Sequence, residues 1–83
     1  MKYVAKIEVS LKPGHSNPEG ETTARLLMEL GYKVESVDVN KVYTVHLDAS
    51  TPNEAKAKAE EMSKRLLANP TKDNYTISVV EAK

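Results

Sequence analysis

Two histidines, His15 and His46, six serines and twelve carboxylates are the side chains with which this 83-residue chain would do chemistry, since it contains no cysteine. Zinc and iron–sulfur centres require closely repeated Cys or His, and an EF-hand-type calcium loop requires alternating carboxylates; neither pattern occurs, so no metal site is expected. Ser10, Ser16, Ser36, Ser50, Ser63 and Ser78 lack the glycine-flanked turn that exposes a nucleophilic hydroxyl. The carboxylates fall mostly in helical charge pairs such as Glu54 with Lys58, Glu60 with Lys64 and Glu61 with Arg65, which are solvated pairs and not an acid–base couple. His15 lies in a Pro13–Gly14 loop beside a helix start, the setting of a solvated residue, and His46 alternates with Val45 and Leu47. No catalytic residue is assigned.

Charge removes further classes of function. Twelve basic residues balance twelve acidic ones, six of each sign in residues 1–41 and six in 42–83. A nucleic-acid module normally concentrates basic charge on one face, because counterion release from phosphates drives its affinity. Neither that charge nor an aromatic and glycine-rich stacking motif is present; Tyr3 and Tyr43 fall in the phase of the core. Met1–Leu11 alternates polar and apolar residues, unlike a signal peptide or a membrane span, which makes the cytoplasm the expected location.

The elements that would carry any binding surface follow from periodicity. Tyr3, Ala5, Ile7, Val9 and Leu11 recur with period two and predict a half-buried first strand. Lys12–Pro18 stops it, and Asn17–Pro18 reads as the cap and first residue of a helix with Glu19 and Glu21 at its positive end, an Ala24, Leu27, Met28, Leu30 stripe, and Gly31 as its left-handed closing residue. Val34–Leu47 reads as a β-hairpin turning at Asn40–Lys41, with a bulge or bend near Glu35–Ser36 where the valines change face. Thr51-Pro52-Asn53-Glu54 is a capping box opening a second helix that Pro70 ends, with Ala55, Ala59, Met62 and Leu66 on one face. Tyr75, Ile77 and Val79 give a last strand.

The predicted order β-α-β-β-α-β gives an α+β, ferredoxin-like sandwich as one domain over residues 1–83, with two helices on one face of an antiparallel sheet. Val4, Val42 and Val80 alternate onto the opposite face and are expected to form a subunit interface. At 83 residues the core is thin, and without a disulfide, association into a homodimer or tetramer is the expected supplement.

Several blocks together carry a family resemblance: Val9-Ser10-Leu11-Lys12-Pro13-Gly14, Asn17-Pro18-Glu19-Gly20-Glu21-Thr22, Leu30-Gly31-Tyr32, and Met62 followed by Leu66-Leu67-Ala68-Asn69-Pro70 with Tyr75. In these the chain resembles the PurS-type small subunit of phosphoribosylformylglycinamidine (FGAM) synthase. The resemblance implies a non-catalytic adaptor in de novo purine biosynthesis. Such an adaptor joins a PurQ-type glutaminase to a PurL-type synthetase, supports ammonia transfer, and binds no cofactor itself, ATP and Mg being used by the synthetase partner. It also points to Lys12, Gly14, Asn17, Pro18, Gly20, Leu67, Asn69 and Pro70 as partner contacts. Gly20 in a first helical turn suggests close approach of another backbone, and Asn69 ends a well-formed helix without a glycine cap, leaving groups free for a neighbouring chain. The Pro13–Gly14 loop also resembles the ligand loop of small-molecule-sensing regulatory domains with the same strand and helix order, the alternative reading.

Overall fold

The structure, a computed structural model, describes residues 1–82. Period-two alternation produces β1, Lys2–Leu11, and its apolar set Tyr3, Ala5, Ile7 and Val9 is buried. β1 is the central strand of a three-stranded antiparallel sheet, flanked by β2, Lys41–Asp48, and β3, Asp73–Glu81. The registers set Tyr43 and Ile77 on either side of Ile7, and Val45 and Val79 on either side of Ala5, so the three strands share one apolar face.

That face receives α2, Pro52–Met62. Its start is the expected capping box: Thr51 Oγ1 accepts from Glu54 N at 3.1 Å, while the Glu54 carboxylate reaches back to Ser50 N at 3.3 Å and to Lys58 Nζ at 3.3 Å. The Lys58 hydrogen bond, followed by the Ser50 amide, holds the Glu54 carboxyl below its ordinary pKa. Ala55 clusters with Tyr3 and Ala49, and Ala59 and Ala68 cluster with Ala5, Ile7 and Val9, so α2 runs along β1 from its first residues towards its last. A single π-helical turn, Ser63–Leu67, follows, closed by Ala68 N donating to Ser63 O at 2.9 Å. The buried ridge is therefore Ala55, Ala59, Ser63 and Ala68, at spacings of four, four and five. Met62 and Leu66 were expected on that face; Met62 is half-buried and Leu66 points outward, 84% exposed, because the small ridge lies closest to the sheet. Ser63 is fully buried, and its hydroxyl donates to Ala59 O at 2.8 Å.

The ferredoxin-like α+β class stands, with two differences from the expected plan. α1, Pro18–Glu29, begins and ends where the sequence places it: Asn17 Oδ1 accepts from Gly20 N at 3.0 Å, and Gly31 has φ 98°. The amides of Gly31 and Tyr32 close a Schellman pair on Met28 O and Leu27 O. α1 does not pack on the sheet beside α2, however; it packs on residues 34–39. Those residues form no strand, and Asn40 does not adopt the positive φ of a hairpin turn, so the chain reads β-α-β-α-β with one strand fewer than expected. The physical reason lies in α1. Asn17 Nδ2 donates to Val39 O at 3.2 Å, and Gly20 lets the Val37 carbonyl come so close that a Cβ there would overlap it. The 34–39 backbone is thus held against the helix and kept off the outer edge of β2.

Two variants test these elements. Gly20→Ala gains helix propensity but drives a methyl into the Val37 carbonyl; it is expected to destabilise the protein by about 1–3 kcal/mol in urea unfolding and to raise amide exchange within 34–39. Because the Glu54 carboxyl titrates lower folded than unfolded, its contribution is complete above the unfolded pKa and is lost as pH falls through the folded one. Glu54→Gln should lower Tm at pH 7, and the deficit should shrink below pH 4.5, the ordinary value, and vanish when both states are protonated.

Candidate partner-docking site

The two proline-bearing helix boundaries, far apart in sequence, meet at one end of the sheet. Antiparallel pairing brings the start of β2 and the start of β3 beside the end of β1, with Lys41 opposite Val9 and Asp73 opposite Leu11. Lys12 ties the same end together: its amide donates to Lys72 O at 2.7 Å and its Nζ to Pro70 O at 3.0 Å. Between the α1 start and the α2 end lies an open cavity of about 270 Å³, bordered by Asn17, Pro18, Leu67, Lys41, Lys72 and Asp73 among others. Its rim mixes exposed lysines with the carboxylates of Glu19 and Asp73, and its floor is the apolar end of β1, Val9 and Leu11. An apolar floor with a polar rim is the composition of a small protein-docking surface.

Of the eight contact residues expected from sequence, Asn17, Pro18 and Leu67 line this cavity, and Lys12 and Pro70, joined by their hydrogen bond, lie outside its lining at the same end of the sheet. Gly14, φ 91°, forms the exposed turn in which His15 N donates to Lys12 O at 3.3 Å. The remaining two have different roles from those expected. Gly20 is buried, and the backbone that approaches it belongs to Val37 of the same chain. Asn69 is not left free: its amide donates to Asp73 Oδ2 at 2.8 Å, its side-chain oxygen accepts from Thr71 N at 2.9 Å, and its carbonyl accepts from Lys72 and Asp73. It builds the turn that carries the chain from the π-helical turn into β3. Lys41, Lys72 and Asp73 were not singled out from sequence; the antiparallel register of β1 with its neighbours is the signal that places them there.

Val4, Val42 and Val80 all lie on the sheet face away from α2, but only two of them meet. Val4 pairs directly with Val80, whereas Val42, opposite Glu8, is separated from them by the polar row Thr44, Lys6, Ser78. Val42 and Val80 are 57% and 60% exposed, and Val4 is half-buried. His46 sits beside Val4 on this face, and both it and His15 are exposed. Among the described residues no group of three His, Cys, Asp or Glu is placed to share a metal ion, and no helix is long and apolar enough to cross a membrane. The Pro13–Gly14 turn lies outside the lining of the cavity.

Asn69→Ala removes the acceptor for Thr71 N, and a cost of about 1 kcal/mol in thermal or urea unfolding is expected. An unchanged midpoint would show that this turn forms without its side-chain bond.

Comparison with known proteins places this geometry. The family model described as PurS, phosphoribosylformylglycinamidine (FGAM) synthase, matches residues 4–81. The chain is 37% identical over 81 residues to the phosphoribosylformylglycinamidine synthase subunit PurS of Methanothermobacter thermautotrophicus, covering 98% of this chain and 96% of that one. The structure of Thermus thermophilus PurS superposes with a TM-score of 0.91 at 34% identity, covering 100% of both chains. That of Methanocaldococcus jannaschii PurS, described as one of the subunits of formylglycinamide ribonucleotide amidotransferase in the purine biosynthetic pathway, does so at 0.86 and 36% identity over 98% of this chain and 99% of that one. With its sheet, its helices and its two proline-bearing boundaries matched nearly end to end, this chain belongs to the PurS family of FGAM synthase subunits.

Proposed function

We propose that this chain is the adaptor subunit of a cytoplasmic FGAM synthase: it joins a PurL-type synthetase to a PurQ-type glutaminase and keeps ammonia from solution between their sites. The observation that carries this reading is the near-complete coverage of both partners in each match, since the relatives so matched are named as subunits. The chemistry of the chain agrees. The cavity at the end of β1 offers an apolar floor and a charged rim but no nucleophile next to a base, which suits holding a neighbouring chain. In this reading ATP and Mg act in the synthetase, glutamine is hydrolysed in the glutaminase, and the present chain carries no cofactor.

Self-association belongs to the same proposal. The sheet has one helix on one face and none on the other, and the Val4–Val80 pair, with Val42 at its far side, offers apolar contact on the bare face. A two-fold dimer, with pairing of two dimers across that bare face, accounts for these exposed valines.

The purified chain alone is expected to neither hydrolyse glutamine nor bind ATP. Glutaminase activity that co-elutes with it through successive columns would overturn the adaptor reading. In a reconstituted complex, Lys41→Glu combined with Lys72→Glu reverses the cavity rim without touching a side-chain hydrogen bond. Glutamine-dependent synthesis should fall by about tenfold or more while ammonia-dependent synthesis and the Tm of the isolated chain are retained. Equal loss of both activities would place the defect in the synthetase contact alone, and no loss would remove the cavity from the docking surface.

A further inference from the structure

The outer edge of β3 is long, regular and unguarded. Lys12 N donates to Lys72 O at 2.7 Å and Ala82 N to Lys2 O at 2.9 Å, one at each end of the β1–β3 ladder. Both pairs lie in the register that sets Val4 opposite Val80, so the even-numbered residues of β3 exchange their backbone bonds with β1. The odd-numbered residues point theirs the other way. Asp73 N donates to Asn69 O, which leaves the amides and carbonyls of Tyr75, Ile77, Val79 and Glu81 directed off the sheet, where no described strand pairs with them. Edge strands ordinarily protect such groups with a lysine, a proline or a bulge. β3 has none of these: its residues pair with β1 without interruption, and its only charges are Asp73 and Glu81 at the ends.

The helix above that edge carries a matching feature. α2 lies over β1 and β3, and Lys58 Nζ reaches Asp48 O at 3.4 Å, which identifies the flank of the helix turned towards β2. Lys56, Glu60 and Lys64, spaced four apart on the opposite flank, therefore stand on the side of the β3 edge. They are exposed, and none of them takes part in an ion pair among the described residues, unlike Glu54, Lys58, Glu61 and Arg65.

We propose that the β3 edges of two copies of this chain join as one antiparallel ladder about a two-fold axis at Ser78, making the two sheets continuous. The inference rests on the self-association proposed above and adds to it a surface separate from the bare sheet face. The register follows from which groups are open. Centred on Ser78, Tyr75 of one copy lies opposite Glu81 of the other and Ile77 opposite Val79, so every open amide and carbonyl of these four residues finds a partner. Centred on Ile77, the ladder would set Asp73 against Glu81. Centred on Thr76, it would leave Glu81 unpaired and require the Asp73 amide already bonded to Asn69; centred on Val79, it would leave Tyr75 beyond the end of β3. A second copy is the occupant because the helices fit as well as the strands. With α2 about half a strand spacing in from β3, the two helices lie about 10 Å apart at ~4.8 Å per strand, close to the usual helix packing distance. They run antiparallel, and their alternating flanks set Glu60 of each copy against a lysine of the other at an offset of one turn.

The test is amide hydrogen exchange on the unmodified chain, read by NMR alongside sedimentation, together with cysteine crosslinking, which the absence of native cysteine makes specific. The Tyr75, Ile77 and Val79 amides are expected to exchange within about tenfold of those of Thr76 and Ser78, which are bonded to β1. Under mild oxidation Ser78→Cys should crosslink to itself, and Thr76→Cys to Val80→Cys in a mixture but not to itself, since these side chains are exposed and Ser78 lies on the axis. Thr44→Cys, exposed on the same face in β2, is the control. An oligomer in which the odd-numbered amides exchange fast and the even-numbered ones slowly overturns the edge pairing and leaves self-association standing. Crosslinking of Ser78→Cys no faster than that of Thr44→Cys does the same. A monomer at a concentration on the order of tens of micromolar overturns both.

Discussion

The closeness of α2 to the central strand sets the rest of this structure. Ala5, Ala55, Ala59 and Ser63 are all fully buried, and only side chains this small let a helix axis approach a sheet so nearly. The approach is made over β1 and β3, which hold the helix between Tyr3 at one end and Val9 at the other. A small contact gives limited apolar burial, so the chain builds a thin core. It also keeps Ser63 where a larger residue would lift the helix; with its hydroxyl bonded to Ala59 O, no buried side-chain nitrogen or oxygen among the described residues lacks a partner.

The end of the same helix determines where the candidate site forms. Widening the last turn to a π-helical one keeps Ala68 on the buried ridge and moves Leu66 out. The chain then leaves the helix at the end of β1, where Asn69 and Asp73 tighten the turn and Lys12 reaches Pro70. The α1 start sits at that same end because α1 follows β1 after only a short turn through Gly14. Residues from three parts of the sequence therefore meet in one open cavity, without any of them having a chemical motif of its own.

The arm of α1 and residues 34–39 is the other outcome of a thin core. Held to itself by Asn17 and Gly20, it adds little to the burial of the sheet and extends the molecule. A helix packed on the sheet would have raised the stability of the isolated chain; a helix held away leaves Leu26 and Leu30 exposed.

Local features were fully legible in the sequence. The period-two runs of β1 and β3, the caps at Asn17 and Thr51, the positive φ of Gly31 and the stop before Pro70 rest on interactions within a few residues, so neighbours alone determined them. The family blocks were legible for the same reason, as contiguous stretches. Val34–Val39 has the composition of a strand yet forms none, since a strand exists only where an edge is open to it, and here the helix holds its backbone first. Gly20 announced a close approach, but whose backbone approached was decided by Val37, 17 positions away. Lys41 and Lys72 entered the site through pairing register, and Leu66 left the buried face through a ridge of smaller residues closer to the sheet. The sequence by itself determined which elements form and where most of them begin and end; only tertiary structure decided which surfaces they cover, because that depends on competition among distant segments for the same edges and faces.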